Sequence, residues 1–364
     1  MKRNTVTLND VAREADVSPA TVSRVLNGNI RIGDATRNRV MAAAEKLGYD
    51  TAGITDKAEA LARASRSRNC RLELLLCPLN EQKDMLHLDF YSRILEGIQS
   101  VLPATGGAEL SVLTLGRTPE MNRAVKERLL AADGILLLGQ QGVNECFFDE
   151  ILDRNIPVVA IGRCCGDPRI NSVEHDDLES SLRMAEILTE RGFRSAGAIR
   201  IGSSSAFERR LMGLMLALRR NSGAVRELET RSAVSSDDRD IRQAFLGWMA
   251  EGDLPECMIA SHLNAAVVIS DCLKEKGLRC PDDLSILTFD ATGELVRGTD
   301  VVFSGFRTVP ETMGRKAALR ILELLERGAD SDSAHRILIP LPFVPGNSVA
   351  DKTQAAFNHK GTRK

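Results

Sequence analysis

The 364-residue chain lacks any run approaching the ~20 apolar residues that a membrane-spanning helix requires. Its start, MKRNTVTLNDVA, has basic residues with no apolar stretch behind them, so no signal peptide is expected. Eight cysteines are present, yet none stands in a CxxC pair or at metal-ligand spacing. Most, such as Cys77 and Cys257, lie in or beside apolar runs and are expected to be buried thiols, as suits a reducing cytoplasm. The five histidines are scattered at 87, 175, 262, 335 and 359. No nucleophile elbow, P-loop or HExxH occurs, and GRCCGDP and GSSSAF are not dinucleotide fingerprints. No catalytic residue, metal or cofactor is therefore expected. A net charge of −2 excludes a generally basic nucleic-acid binder.

What is present is unevenly placed. Residues 1–50 carry eight Lys/Arg against six Asp/Glu, and residues 57–71 carry Lys57, Arg63, Arg66, Arg68 and Arg71 against Glu59 alone. Positive charge is thus gathered towards the N-terminal end, as phosphate contact requires. The stretch Thr7–Tyr49 has the pattern of three short helices. Thr7 can cap the first, with Asp10 reaching back, and Val11, Ala12 and Ala15 fall on one face. Asp16-Val17 is a tight turn. Ser18 caps the second helix and Pro19 suits its first position. Val22, Val25 and Leu26 point inward; Thr21, Ser23, Arg24 and Asn27 point outward with Pro19 and Ala20. A third helix, about 35–47, buries Val40, Ala43, Ala44 and Leu47. Two short helices joined by a turn, the second with a polar outer face, form a helix-turn-helix. The same periodicity serves a small bundle that binds only protein.

DVAREADVSPATVSRVLNG followed by ATRNRVMAAAEKLGY resembles the headpiece of the LacI/GalR family of bacterial repressors. The resemblance implies that Pro19, Ala20 and Arg24 read base edges. It implies that Thr7, Ser18, Thr21, Ser23, Asn27, Arg31, Thr36 and Tyr49 grip the DNA backbone. Asp16 departs from the small residue common at that turn; Asp tolerates a left-handed conformation better than most residues. Residues 51–71 form the hinge or linker. The resemblance places a minor-groove wedge here, and Leu61 is the one leucine in KAEALARA and its basic sequel. The Pro-Asn that follows the family's Tyr is absent, replaced by Asp50-Thr51.

A chain of this length exceeds one ordinary core. From Leu72 onward, continuous apolar strands alternate with amphipathic helices: strands 72–77, 109–115, 133–139 and 156–162, then 195–202, 257–261 and 284–290. Such alternation implies parallel sheets covered on both faces. Residues 301–306 are expected as a connection, and 336–344 as a strand closing the core. The fold class is a small all-α helix-turn-helix headpiece plus an α/β periplasmic-binding-protein-like domain of two doubly wound parallel-sheet lobes. The divisions are 1–50 headpiece, 51–71 hinge, 72–349 effector-binding and dimerisation domain, and 350–364 a disordered tail. FYSRILEGI, VEHDDLESSLRMAEILTERGF, RRLMGLMLAL and CPDDLSILTFD follow the order seen in the family.

Ligands of doubly wound sheets bind outside the strand carboxyl ends. By the resemblance, Arg210, Asp290, His262 and Asn264 are the effector-binding candidates. Arg offers five donors in a fixed fork, suited to hydroxyls, carboxylate or phosphate. The aromatic platform expected in ETRSAVSS (229–236) is missing, which favours an anionic or strongly polar metabolite over a stacked sugar. The expected partners are double-stranded DNA with a pseudo-palindromic operator, a small-molecule effector such as a sugar or other polar or anionic metabolite, and a second copy of the chain, with no membrane. The chain is expected to be a cytoplasmic, nucleoid-associated transcriptional regulator, a repressor. A cytoplasmic solute-binding protein, or an enzyme on the same scaffold, is the alternative.

Overall fold

The computed structural model describes residues 8–19, 21–22, 36, 39–40, 42–43, 46, 70–77, 89–102, 108–115, 119–139, 146–162, 167–201, 205–220, 223, 225, 227–296, 298–327 and 334–353. In the headpiece, helix α1 spans Leu8–Glu14, with Asp10 accepting a hydrogen bond from Arg13 at 2.8 Å. Asp16 takes φ 51°, the left-handed turn that its short polar side chain tolerates. Ser18 caps the next turn, its Oγ accepting from the Thr21 amide at 3.1 Å. Val11, Ala12, Ala15, Val22, Val40 and Ala43 are buried together. Lys46 reaches Glu14 at 2.6 Å, tying the third helical stretch to the first.

Two six-stranded sheets follow. Strands β1 (Cys70–Cys77), β2 (Ala108–Thr114), β3 (Gly134–Gly139), β4 (Val158–Ile161) and β5 (Asn171–His175) belong to the first. Helices α2 (Asp89–Gln99), α3 (Pro119–Leu129) and α4 (Cys146–Asp153) connect its first four strands. Then come α5 (Asp177–Glu190), β6 (Ala196–Ile201), α6 (Ser205–Arg220), β7 (Leu228–Ala233), α7 (Asp238–Glu251), β8 (Cys257–Ala260), α8 (Leu263–Glu275), β9 (Ser285–Phe289) and β10 (Ser304–Phe306). The last elements are α9 (Pro310–Arg327), β11 (Arg336–Ile339) and β12 (Phe343–Val344). The orders are β11-β5-β4-β3-β1-β2 and β12-β10-β9-β8-β6-β7, and among the described strands β12 alone pairs antiparallel. In β1, Leu72, Leu74 and Leu76 face the layer of α2 and α9, while Leu75 and Cys77 face that of α3 and α4. A strand buried on both faces needs a continuous apolar run, and β1 supplies it.

Four sequence expectations change. Residues 301–306, read as a connection, end in β10. Residues 336–344, read as one closing strand, are two strands in different sheets; Pro340 and Pro342 separate them. Strands β5 and β7 had no apolar run to announce them. The first residues of the stretch expected as a tail are tied to the second lobe: the Ala350 amide donates to Ser285 Oγ at 3.0 Å and that of Lys352 to the Arg191 carbonyl at 2.8 Å. Residues 354–364 lie outside those described, as do 51–69 of the expected hinge.

The lobes are consequently discontinuous in sequence. Helix α9, reached after ten strands, returns to pack on α2 in the first lobe. Their approach is backbone to backbone: a Cβ on Gly97 would collide with the Glu311 carbonyl, and one on Gly314 with that of Ile94. The chain therefore crosses between lobes three times, at 175–177, 306–310 and 339–343. The crossings are laced together. Asp176 N donates to the Ile339 carbonyl at 2.8 Å, Arg307 N to that of Pro342 at 2.9 Å, and Val309 N to His175 Nε2 at 3.4 Å.

Candidate functional site

Beside these crossings, at the carboxyl ends of the strands, lies a cavity of about 140 Å³ between the lobes. The first lobe contributes Phe90 and Tyr91 from α2, Gly139 at the end of β3, Gly162 just beyond β4, Glu174 and His175 from β5, and Met313 from α9. The second contributes Asp177, Phe207, Arg209, Arg210 and Asp290.

Arg210 is the centre of this site. It is 5% exposed on α6, and its Nε donates to Asp177 Oδ1 at 2.9 Å. Its Nη1 lies 3.5 Å from Asp290 Oδ1, and 3.4 Å from the Ser261 carbonyl. Its guanidinium carbon sits 4.6 Å from the Phe289 ring centroid and 5.9 Å from that of Phe207. A buried cation needs this compensation, because desolvation alone would expel its charge. Burial opposes the charged guanidinium, but the carboxylates of Asp290 and Asp177 outweigh it and hold Arg210 firmly protonated. The Arg209 guanidinium also approaches Asp177, at 3.4 Å.

Asp290 follows β9 in the left-handed region, φ 67°, which turns its carboxylate towards Arg210. Loss of water pushes its carboxyl upward, against the pull of Arg210. The contact with Arg210 lacks hydrogen-bond geometry, and Oδ1 is buried with no hydrogen-bond partner. The site thus contains an acceptor that calls for a donor.

Two histidines flank the guanidinium and are neutral. Burial, reinforced by the Arg210 charge, lowers His175 to about 3 and His262 to about 4. A neutral His175 can accept the Val309 N–H that links two crossings. His262 stacks on Phe207 at 5.3 Å with 10° between ring planes, behind the cavity wall rather than in it. Asn264 is exposed and donates to Asp238 Oδ1 at 2.6 Å, away from the cavity.

Of the four effector candidates, the structure brings Arg210 and Asp290 together, sets His262 one layer back and places Asn264 outside. Sequence reasoning missed Asp177, His175, Phe90, Tyr91 and Phe207. The aromatic surface absent from 229–236 comes from α2 and α6 instead. Phe90-Tyr91 and Phe207 precede amphipathic repeats, and that position at a helix start was the available signal. Among the DNA candidates, Ser18 and Pro19 are exposed, while Thr21 and Thr36 are half-buried. Thr7, Ala20, Ser23, Arg24, Asn27, Arg31, Tyr49 and Leu61 lie outside the described residues. Among the described residues no His/Cys/Asp/Glu group could hold a metal ion, and no helix is long and apolar enough to cross a membrane.

Fold and site together define a helix-turn-helix protein with a two-lobed, small-molecule-binding domain behind it. Comparison with known proteins places it further. Residues 7–52 match the bacterial regulatory proteins of the lacI family, and residues 185–349 match a periplasmic binding protein-like domain. Catabolite control protein A of Staphylococcus aureus is 29% identical over 299 residues, covering 80% of this chain and 85% of that protein. The Lac repressor dimer bound to operator and the anti-inducer ONPF shares the fold at TM-score 0.63 and 22% identity, over 95% of this chain and 100% of that one. A LacI family transcriptional regulator, CCPA, from Weissella paramesenteroides with bound glucose does so at TM-score 0.63 and 16% identity, over 78% of this chain and 99% of that one. The chain thus carries a lacI-family DNA-binding domain joined to a periplasmic binding protein-like domain, and its relatives are LacI-family transcriptional regulators.

Proposed function

We propose that the chain is a repressor that binds a pseudo-palindromic operator as a homodimer and changes its grip when a neutral, hydroxyl-rich metabolite occupies the cleft. The observation that carries the ligand class is the charge arrangement around Arg210. Its guanidinium already faces Asp177 and Asp290, so a phosphate or carboxylate ligand would displace a partner and meet two like charges. Asp290, whose Oδ1 is ion-paired with Arg210 but makes no hydrogen bond, can instead accept from a hydroxyl donor. Phe90, Tyr91 and Phe207 offer apolar ring faces for the C–H side of a sugar. This favours a sugar over the anionic metabolite suggested by composition alone. Glucose in the Weissella relative supports the same class.

The division is a headpiece over 1–50, a hinge over 51–71, in which Leu61 enters the minor groove, and a sensor behind them. Within the headpiece, Pro19, Ala20 and Arg24 read bases, and Thr7, Ser18, Thr21, Ser23, Asn27, Arg31, Thr36 and Tyr49 hold phosphates. Two headpieces on one duplex face read two half-sites, which matches a symmetric operator to a two-fold protein. The protein acts in the cytoplasm, on the nucleoid, by binding rather than turnover. Ligand that prefers one lobe arrangement shifts operator affinity by linkage, and titration gives its sign.

The test is selection of bound duplexes from a random library, then gel shifts on the selected site with neutral sugars, sugar phosphates and sugar acids. A symmetric consensus whose affinity responds to a neutral sugar is the expected result. A response confined to the phosphates or acids would reverse the ligand assignment, and the absence of any symmetric preference would end the regulatory reading.

A further inference from the structure

The second lobe presents an apolar patch outside the residues that line the cleft. Leu178 and Leu182 on α5 are 56% and 37% exposed, and Met212 and Leu216 on α6 are 60% and 58% exposed. Each pair is spaced i,i+4, so each forms a stripe along its helix. Among the described residues, the other large exposed apolar side chains, Val112, Val234, Leu295, Leu338 and Phe343, are scattered over other strands and loops.

The two stripes are neighbours at one level. Helices α5 and α6 run side by side in the same direction: Asp177 meets Arg210, a Cβ on Gly213 would lie 3.0 Å from Ser181, and one on Gly223 would collide with Thr189. That register sets Leu178 and Leu182 beside Met212 and Leu216. Beyond this apolar band the helices differ in charge. The α5 end carries Glu186 and Glu190, which share the single guanidinium of Arg183 at 2.8 and 3.0 Å. The α6 end carries exposed Arg219 and Arg220.

We infer that this face is an isologous interface between two copies of the chain. A two-fold axis lying between the helices and parallel to them lays α5 of one copy on α6 of the other. Apolar band then meets apolar band, and the acidic end of each α5 meets the basic end of the other α6. Self-complementarity of this kind, with an apolar centre and charges of opposite sign at matched positions, is what a closed two-fold contact demands. It also specifies the pairing, because the alternative axis, which lays α5 on α5, opposes like-charged helices. The contact is separate from whichever surface pairs the headpieces, and adds a second association step to the molecule.

Sedimentation velocity of the full chain without DNA, over a concentration series, reads the assembly mass. The expected result is that Leu182→Glu combined with Leu216→Glu halves the mass of the largest species while the thermal melt stays cooperative. Glu190→Arg alone and Arg220→Glu alone should each shift the distribution to smaller species, and the two together should restore it. A mass unchanged by the glutamate pair overturns the inference, as it does if another protein or a membrane occupies the face. Should the glutamate variant melt without cooperativity, the charge reversals decide: failure of either single reversal to weaken assembly, or of the pair to restore it, overturns the inference equally.

Discussion

Arg210 holds the cleft together at the same place where we propose that the ligand binds. Replacing it by Leu would leave Asp177 with Arg209 alone and the half-buried Asp290 without its cation, and breaking a buried pair costs about 3–5 kcal/mol. Arg210→Leu should therefore lower the urea midpoint markedly, and its loss of ligand binding would not isolate the ligand contact. Asp290→Asn is the cleaner probe. It keeps the shape, removes the acceptor charge and leaves Arg210 paired with Asp177, so it should weaken sugar binding in calorimetry while lowering the midpoint less than Arg210→Leu does. The buried histidines carry a pH signature. His175 and His262 stay neutral in the fold down to about 3 and about 4, whereas the unfolded chain protonates both near the ordinary value of 6.5. Below that ordinary value the unfolded state binds the extra protons, so stability falls with pH, by up to about 1.4 kcal/mol per unit for each histidine. His175→Gln or His262→Gln should flatten the slope of stability between pH 6 and 4.5, measured by urea melts. In the headpiece, Arg24→Ala should cost about 1–3 kcal/mol on the selected operator if it makes a paired base contact. An equal loss on every duplex would reassign it to phosphate.

At the scale of elements, the tightest joint is α2 against α9. Both Gly97 and Gly314 face a carbonyl of the opposite helix, so a side chain at either position must push the helices apart. Gly314→Val should destabilise by at least the roughly 1–3 kcal/mol typical of overpacking, read as a shift in thermal midpoint, with the loss felt in the first lobe. The sequence showed this joint poorly, because a glycine within a helical pattern is ambiguous until its neighbour is known. Strands such as β1, β3 and β9 were legible, since burial on both faces forces a continuous apolar run. Strands β5 and β7 were not. NSVEH carries Asn171, which accepts from Arg320, and Glu174, which pairs with Arg336; polar side chains satisfied by distant partners look like a loop in one dimension. LETRSA lies at the sheet edge, where Arg231 covers Trp248 and reaches Glu251. β10 is brief, and Gly305 leaves room for the close approach of Thr288. The site followed the same rule. Arg210 and Asp290 were visible through a family pattern, but Asp177 and His175 join them only because the chain changes lobes there.

On the scale of the whole molecule, any rotation of one lobe on the other must pass through the three laced crossings, and the proposed control of the reader by the cleft depends on such a rotation. A coupling in the usual range of 1–3 kcal/mol would change operator affinity about 5–150-fold at saturating sugar, measurable by gel shift. A ligand that binds in calorimetry but leaves that affinity unchanged would place the control elsewhere. The route of the chain has one more consequence, for biosynthesis. Domains emerging from the ribosome tend to fold in the order they are made. Here the first sheet must wait: its outer strand β11 and its covering helix α9 are translated after nearly all of the second lobe. The DNA reader can form while the nascent sensor is still open, and a polypeptide stopped short of residue 310 would expose the apolar flank of β1, β3 and β4, a target for chaperones and proteases.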